Sequence, residues 1–254
     1  MTSQWRKVFP RDRLAQPAQG LGARLTLYCV CCAGLLYPGA AASADAAGRQ
    51  DRKVSQAGIL YIVDSTGDGA QVGPTSICND GTGACTLRAA IQAVNAHAGD
   101  DGIEFSLPAG SVIDLSSALP SLSSNVDIVG PGAYKLQVKR KLNAPSFRIF
   151  DVTSTGTVTL SGMQISDGKS VGTGAGIQNN SGGTLNIIEC ILYYNIGAGN
   201  GGAMYNSGTG TVNIIRSMVR ANRSASGAGI YNNGTGSVNV INSVITENLA
   251  TGTG

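Results

Sequence analysis

Three aspartates, Asp127, Asp151 and Asp167, are the candidates for acid–base chemistry in this chain. Hydrolysis of a glycosidic bond needs two carboxyl groups within about 5–10 Å of each other. Calcium-assisted lyase chemistry needs an acidic cluster with a basic group beside it. From residue 157 onward the only acids are Asp167, Glu189 and Glu247, and their spacing puts Asp167 and Glu247 about 14 Å apart at the strand spacing of a sheet. Asp64, Asp68 and Asp80 lie in a glycine-rich stretch without the spacing of a calcium loop, so neither a metal nor a cofactor is expected. The single histidine, His97, stands at a predicted helix end and reads as a solvated side chain. Two other sets point to contact rather than catalysis. Arg216 and Arg220, with Arg223 and Lys169, form a basic patch for an acidic glycan or an ordinary solvated face. Tyr205 and Tyr231, with Tyr193 and Tyr194, hold a sugar face or simply stack on one another.

The remaining reactive side chains are cysteines. Cys29, Cys31 and Cys32 sit in an apolar run that follows a basic stretch and precedes Ala42-Ser43-Ala44. That order, with a run shorter than a membrane span, predicts a cleaved export signal over residues 1–44. Residues 45–58 are polar and read as a linker. In an exported chain Cys78 and Cys85, which flank Asn79-Asp80-Gly81-Thr82-Gly83-Ala84, are the natural disulfide pair; no second pair of Cys or His ligands lies near enough for a metal. The leader holds five basic residues and one acid, so the rest of the chain is net −1. Such a body has no footprint for nucleic acid, and no transmembrane segment is expected in the mature chain.

These side chains must be held by a repeat. Thr157-Val-Thr-Leu, Thr184-Leu-Asn-Ile, Thr211-Val-Asn-Ile and Ser237-Val-Asn-Val begin 27, 27 and 26 residues apart. A fixed period in the twenties predicts a solenoid. Apolar residues alternate within each copy and β-branched residues dominate, so each period is one coil of short strands. The expected fold is an all-β parallel β-helix. Asn179, Asn206 and Asn232 share one offset, and Asn195, Asn222 and Asn248 another. Asn tolerates the left-handed backbone of a sharp corner, and stacked amides bond coil to coil, so both columns are expected to be structural. Cys190 falls in an inward column with Met163, Ser217 and Ser243 and reads as an inert thiol.

Residues 59–156 precede the regular coils. Leu87, Ala90, Ile91 and Val94 lie on one helical face, with Thr86 as N-cap. An amphipathic helix laid across the open end of a β-helix is a common remedy for exposed strand edges. Cys85-Thr-Leu-Arg-Ala-Ala90 resembles the signature of bacterial CSLREA-domain proteins, and the similarity extends through Ile91–Asn95, Asp101–Phe105, Leu119-Pro120 and Val129–Gly132 into the coils. The signature's Glu is Ala89 here, which removes half of a helix capping box. The resemblance implies an exported or cell-surface right-handed parallel β-helix, related to the repeats of polymorphic outer-membrane proteins. It implies no catalytic residues.

Two functions are therefore expected as alternatives. One is a secreted or surface-displayed structural, adhesive or glycan-binding module, whose partner is a glycan or a protein on a host or neighbouring cell. The other is a polysaccharide lyase or glycoside hydrolase. Residues 157–254 stop inside a glycine-rich turn, which is read as truncation of a longer solenoid.

Overall fold

A computed structural model describes residues 58–252; the expected export signal and all of the linker but its last residue lie outside them. Alternating residues become strands that stack in parallel into four sheets. The longest runs Leu60–Val63, Asp101–Phe105, Val126–Val129, Thr157–Ser161, Thr184–Ile188, Thr211–Ile215, Ser237–Ile241. A six-stranded sheet runs Ser111–Leu115, Leu136–Arg140, Gln164–Ser166, Ile191–Tyr193, Met218–Arg220, Val244–Thr246. Two four-stranded sheets complete the later coils, one from Phe150–Val152 to Ile230–Asn232 and one from Lys169–Ser170 to Leu249–Ala250. The protein is a parallel β-helix. Its register equals the sequence repeat: Thr157, Thr184, Thr211 and Ser237 are neighbours on successive strands.

The inward columns are the apolar ones. Val158, Leu185 and Val212, and Leu160, Ile187 and Ile214, are all buried. In the last coil Val240 of the second column is 45% exposed, and Ile245 on the six-stranded sheet is 47% exposed. Met163, Cys190 and Ser217 are buried at the corner between the two long sheets. There the Ser217 hydroxyl accepts from the Cys190 amide at 3.1 Å and lies 2.9 Å from the Ile215 carbonyl, to which it donates. Burial pushes the Cys190 thiol up to about 12.

The asparagine columns bond coil to coil, but the left-handed backbone expected of them falls on other residues. Asn179 donates to Asn206, and Asn206 to Asn232, both at 2.7 Å. Asn195 donates to Asn222, and Asn222 to Asn248, at 3.0 and 2.9 Å. None of the six has positive φ. The left-handed residues are Glu189, Arg216 and Asn242 at one corner, and Asp167, Tyr194, Ala221 and Glu247 at the next. This corrects the expected turn role. A buried amide must keep its orientation to bond the coils above and below, so the residue before Asn195, Asn222 or Asn248 takes the strained backbone.

The one helix among the described residues, Leu87–Ala96, packs on the strands Leu60–Val63 and Asp101–Phe105 at the first coil. Leu87, Ala90, Ile91, Ala93 and Val94 enter the core, which covers apolar surface that a bare first coil would expose. The Thr86 side chain accepts from the Ala89 amide, an N-cap made without the glutamate of a full box.

Candidate functional site

The three candidate aspartates are carried on different sheets. Asp127 belongs to Val126–Val129 of the seven-stranded sheet, and Asp151 to Phe150–Val152 of a four-stranded one. Asp167 follows Gln164–Ser166 of the six-stranded sheet. Asp151 is occupied: Arg148 lies 3.1 Å away, and Ser121 donates to it at 2.7 Å. Asp167 accepts from Ser166 at 3.1 Å. Asp127 lines a hollow of about 200 Å³ with Asp100, Asp101, Asn125 and Thr157. No group of three or more His, Cys, Asp or Glu side chains among the described residues is arranged to hold a metal.

The head of the chain is given over to structure. Cys78 and Cys85 form a disulfide. Arg88 is 9% exposed and grips Asp68 at 2.7 Å through Nη2, while Nη1 and Nη2 donate to the Ala118 and Ser117 carbonyls at 2.6 and 2.9 Å. Asp68 in turn accepts from the Ser116 amide at 2.8 Å. One buried ion pair thus ties the glycine-rich loop, the helix and the loop after Leu115 together. Asp80 is held by Thr82, whose hydroxyl and amide both donate to it; the hydroxyl chiefly lowers its pKa. His97, expected from its place at the helix end to be a solvated side chain, is instead partnered. Its Nδ1 meets the buried Asp101 carboxylate at 2.9 Å.

The contact residues divide between two faces. Tyr205 and Tyr231 stack on a four-stranded sheet, with centroids 5.8 Å apart and planes 9° apart. Arg216 and Arg220 lie elsewhere, and each is neutralised across one coil. Arg216 bonds Glu189 at 2.9 Å, and Arg220 bonds Glu247 at 2.8 Å, which holds the Arg220 guanidinium above its usual range. Two of the four residues of the expected basic patch, Arg216 and Arg220, are therefore matched by carboxylates, and neither lies on the sheet of the stacked tyrosines.

A different group gathers on the six-stranded sheet. Its register places Lys139, the buried Ser166, Tyr193 and Arg220 in one column, beside the column Gln164, Ile191, Met218 and Val244. At one edge the Gly130–Lys135 loop brings Tyr134, 84% exposed, over a groove of about 370 Å³ that reaches Glu189, Arg216, Met218, Asn242 and Val244. At the other edge Tyr194 meets Tyr193, with centroids 5.9 Å apart, and lines a second groove with Lys139, Arg140, Leu142, Asp167 and Lys169. Three exposed tyrosines and two arginine–carboxylate pairs thus border one strip. Tyr134, Lys139 and Arg140 were not singled out from sequence, because they precede the repeat and only strand pairing brings them here.

Compared with known proteins, the chain matches no family model, no curated protein and no solved structure.

Proposed function

We propose that the chain is an exported or cell-surface β-helix that binds glycans without turning them over, through the outward strip of its six-stranded sheet. The observation that carries this reading is the alignment of Tyr134, Tyr193 and Tyr194 with paired arginines and carboxylates along one exposed face. Flat tyrosine rings offer an apolar surface and a polar tip, which suits the C–H face and the hydroxyls of a sugar. Guanidinium and carboxylate groups fixed side by side present donors and acceptors together, and a vicinal diol needs both. Dispersal of Asp127, Asp151 and Asp167 over three sheets supports binding without hydrolysis or elimination. The disulfide is in keeping with an oxidising compartment. Resemblance of Cys85–Ala90 to the CSLREA signature points the same way: Cys85 is bonded to Cys78, Leu87 is buried and Arg88 is ion-paired, so this stretch clamps the first coil.

The test is a panel of immobilised neutral and uronate-rich polysaccharides, scored both for retention of the protein and for release of reducing ends or unsaturated products. Retention without release is the expected result. Release that vanishes in Asp127→Ala, Asp151→Ala or Asp167→Ala would show an enzyme instead.

A further inference from the structure

The groove beside Tyr194 has a charge that the rest of the strip lacks. It encloses about 260 Å³ and is lined by Lys139, Arg140, Leu142, Asp167, Lys169 and Tyr194. Three cationic side chains therefore face one carboxylate, and Asp167 already accepts from Ser166. Lys139 is 3.7 Å from Asp114, a longer contact than either arginine–glutamate pair of the strip. Arg140 is fixed by backbone carbonyls alone: Nε donates to Asp167 at 3.1 Å, and Nη1 donates to Lys141 and Ala144 at 3.2 and 2.8 Å. Those bonds orient the guanidinium without neutralising it. Lys169 is exposed, and its strand neighbours two coils along bring Arg223 into the same column. With Asp114 counted, Lys139, Arg140 and Lys169 meet only Asp114 and Asp167, whereas Arg216 and Arg220 are matched one to one by glutamates, and that surplus marks this edge.

We infer that this groove is the subsite for an acidic sugar, taking the carboxylate of a uronate between Lys139, Arg140 and Lys169 while the ring lies against Tyr194 and Leu142. The inference rests on the glycan-binding reading and names the sugar class that reading leaves open. A planar guanidinium flanked by two ammonium groups matches a carboxylate in charge and in donor geometry. Tyr194 is 51% exposed and Leu142 80% exposed, which gives the pyranose an apolar wall on the open side. Tyr193 then leads from this subsite to the neutral strip, where Arg220 and Glu247 take the hydroxyls of neighbouring residues. The sites lie along one sheet, so an extended oligosaccharide fits better than a monosaccharide.

The experiment is a titration of the full chain with hexagalacturonate and, separately, with cellohexaose and maltohexaose. It is repeated on the double variant Lys139→Gln with Lys169→Gln, and on Tyr194→Ala. Ala221 occupies the equivalent left-handed corner one coil later, so the alanine variant keeps a residue this fold already accepts; unfolding midpoints check both. The expected result is that native protein binds hexagalacturonate, that the double variant loses at least tenfold in affinity, and that the loss grows at low salt, where charge contributes most. Tyr194→Ala weakens hexagalacturonate several-fold as well. Equal binding of hexagalacturonate by native and double variant overturns the subsite and leaves the glycan-binding strip standing. Binding of the neutral hexaoses alone has the same consequence. Binding of none of the three defeats the inference and the glycan-binding reading together.

Discussion

Burying Arg88 with Asp68 strips both of hydration, and their attraction offsets that cost only because Ser117, Ala118 and the Ser116 amide satisfy the remaining donors and acceptors. Removing one partner leaves the other charge buried. Arg88→Met should therefore lower stability by about 3–5 kcal/mol, read as a shift in the urea midpoint, whereas Arg216→Met at an exposed pair should cost less than about 1 kcal/mol. If the two variants unfold alike, the clamp does not exist. Cys190 gives a pH prediction. Its folded thiol titrates near 12 against an ordinary value of 9.0, so the unfolded chain ionises first. The stabilisation is whole below pH 9 and is lost as pH rises towards 12. At pH 10.5 the native protein should have lost about 2 kcal/mol from this group, and Cys190→Ser, which matches Ser217 in the same column, should lose none of it. Legibility at this scale was uneven. The column position identified Cys190 as an inert thiol from sequence alone. Arg88 was legible only as a signature letter, because its partner lies 20 residues away in a loop whose path no periodicity fixes.

Coil geometry sets what each element tolerates. The stacking register was readable because the same residue types return at 26 or 27 residues and each inward column must stay apolar to be buried. Leu136–Arg140 and Phe150–Val152 were not identified as strands, since neither belongs to the regular repeat and only their pairing with distant strands, Ser111–Leu115 and Ile177–Asn179, defines them. The corner residues were misplaced by one position. Asn has the higher tolerance for left-handed backbone, yet its amide is worth more in the ladder, where Asn222 donates to the Leu192 carbonyl and to Asn248, both at 2.9 Å. The preceding residue pays the conformational strain at each corner. Ala221, with φ of 55° and no side-chain bond to lose, isolates that strain. Ala221→Gly should raise stability by about 1 kcal/mol, offset in part by the greater freedom of glycine in the unfolded chain. A lower unfolding midpoint would mean that the corner is not strained in solution.

For the whole molecule, the solenoid converts sequence separation into adjacency. Tyr134, Lys139 and Tyr193 are far apart in the chain but share one face, because Lys139 pairs with Ser166 and Ser166 with Tyr193. Tyr205 and Tyr231, which composition alone grouped with Tyr193 and Tyr194, point from another sheet. This is why the aromatic and basic residues were legible as types and the site they make was not. Coil stacking also pairs carboxylates with arginines: Glu189 and Glu247 each meet an arginine one coil away, while Asp151 meets Arg148 three residues before it. The measurement that bears most directly on the central claim is a calorimetric titration of the full chain with hexagalacturonate, followed by mass analysis of the recovered sugar. Saturable binding with the hexamer returned intact is predicted. Absence of binding, or recovery of shorter or unsaturated fragments, would contradict it.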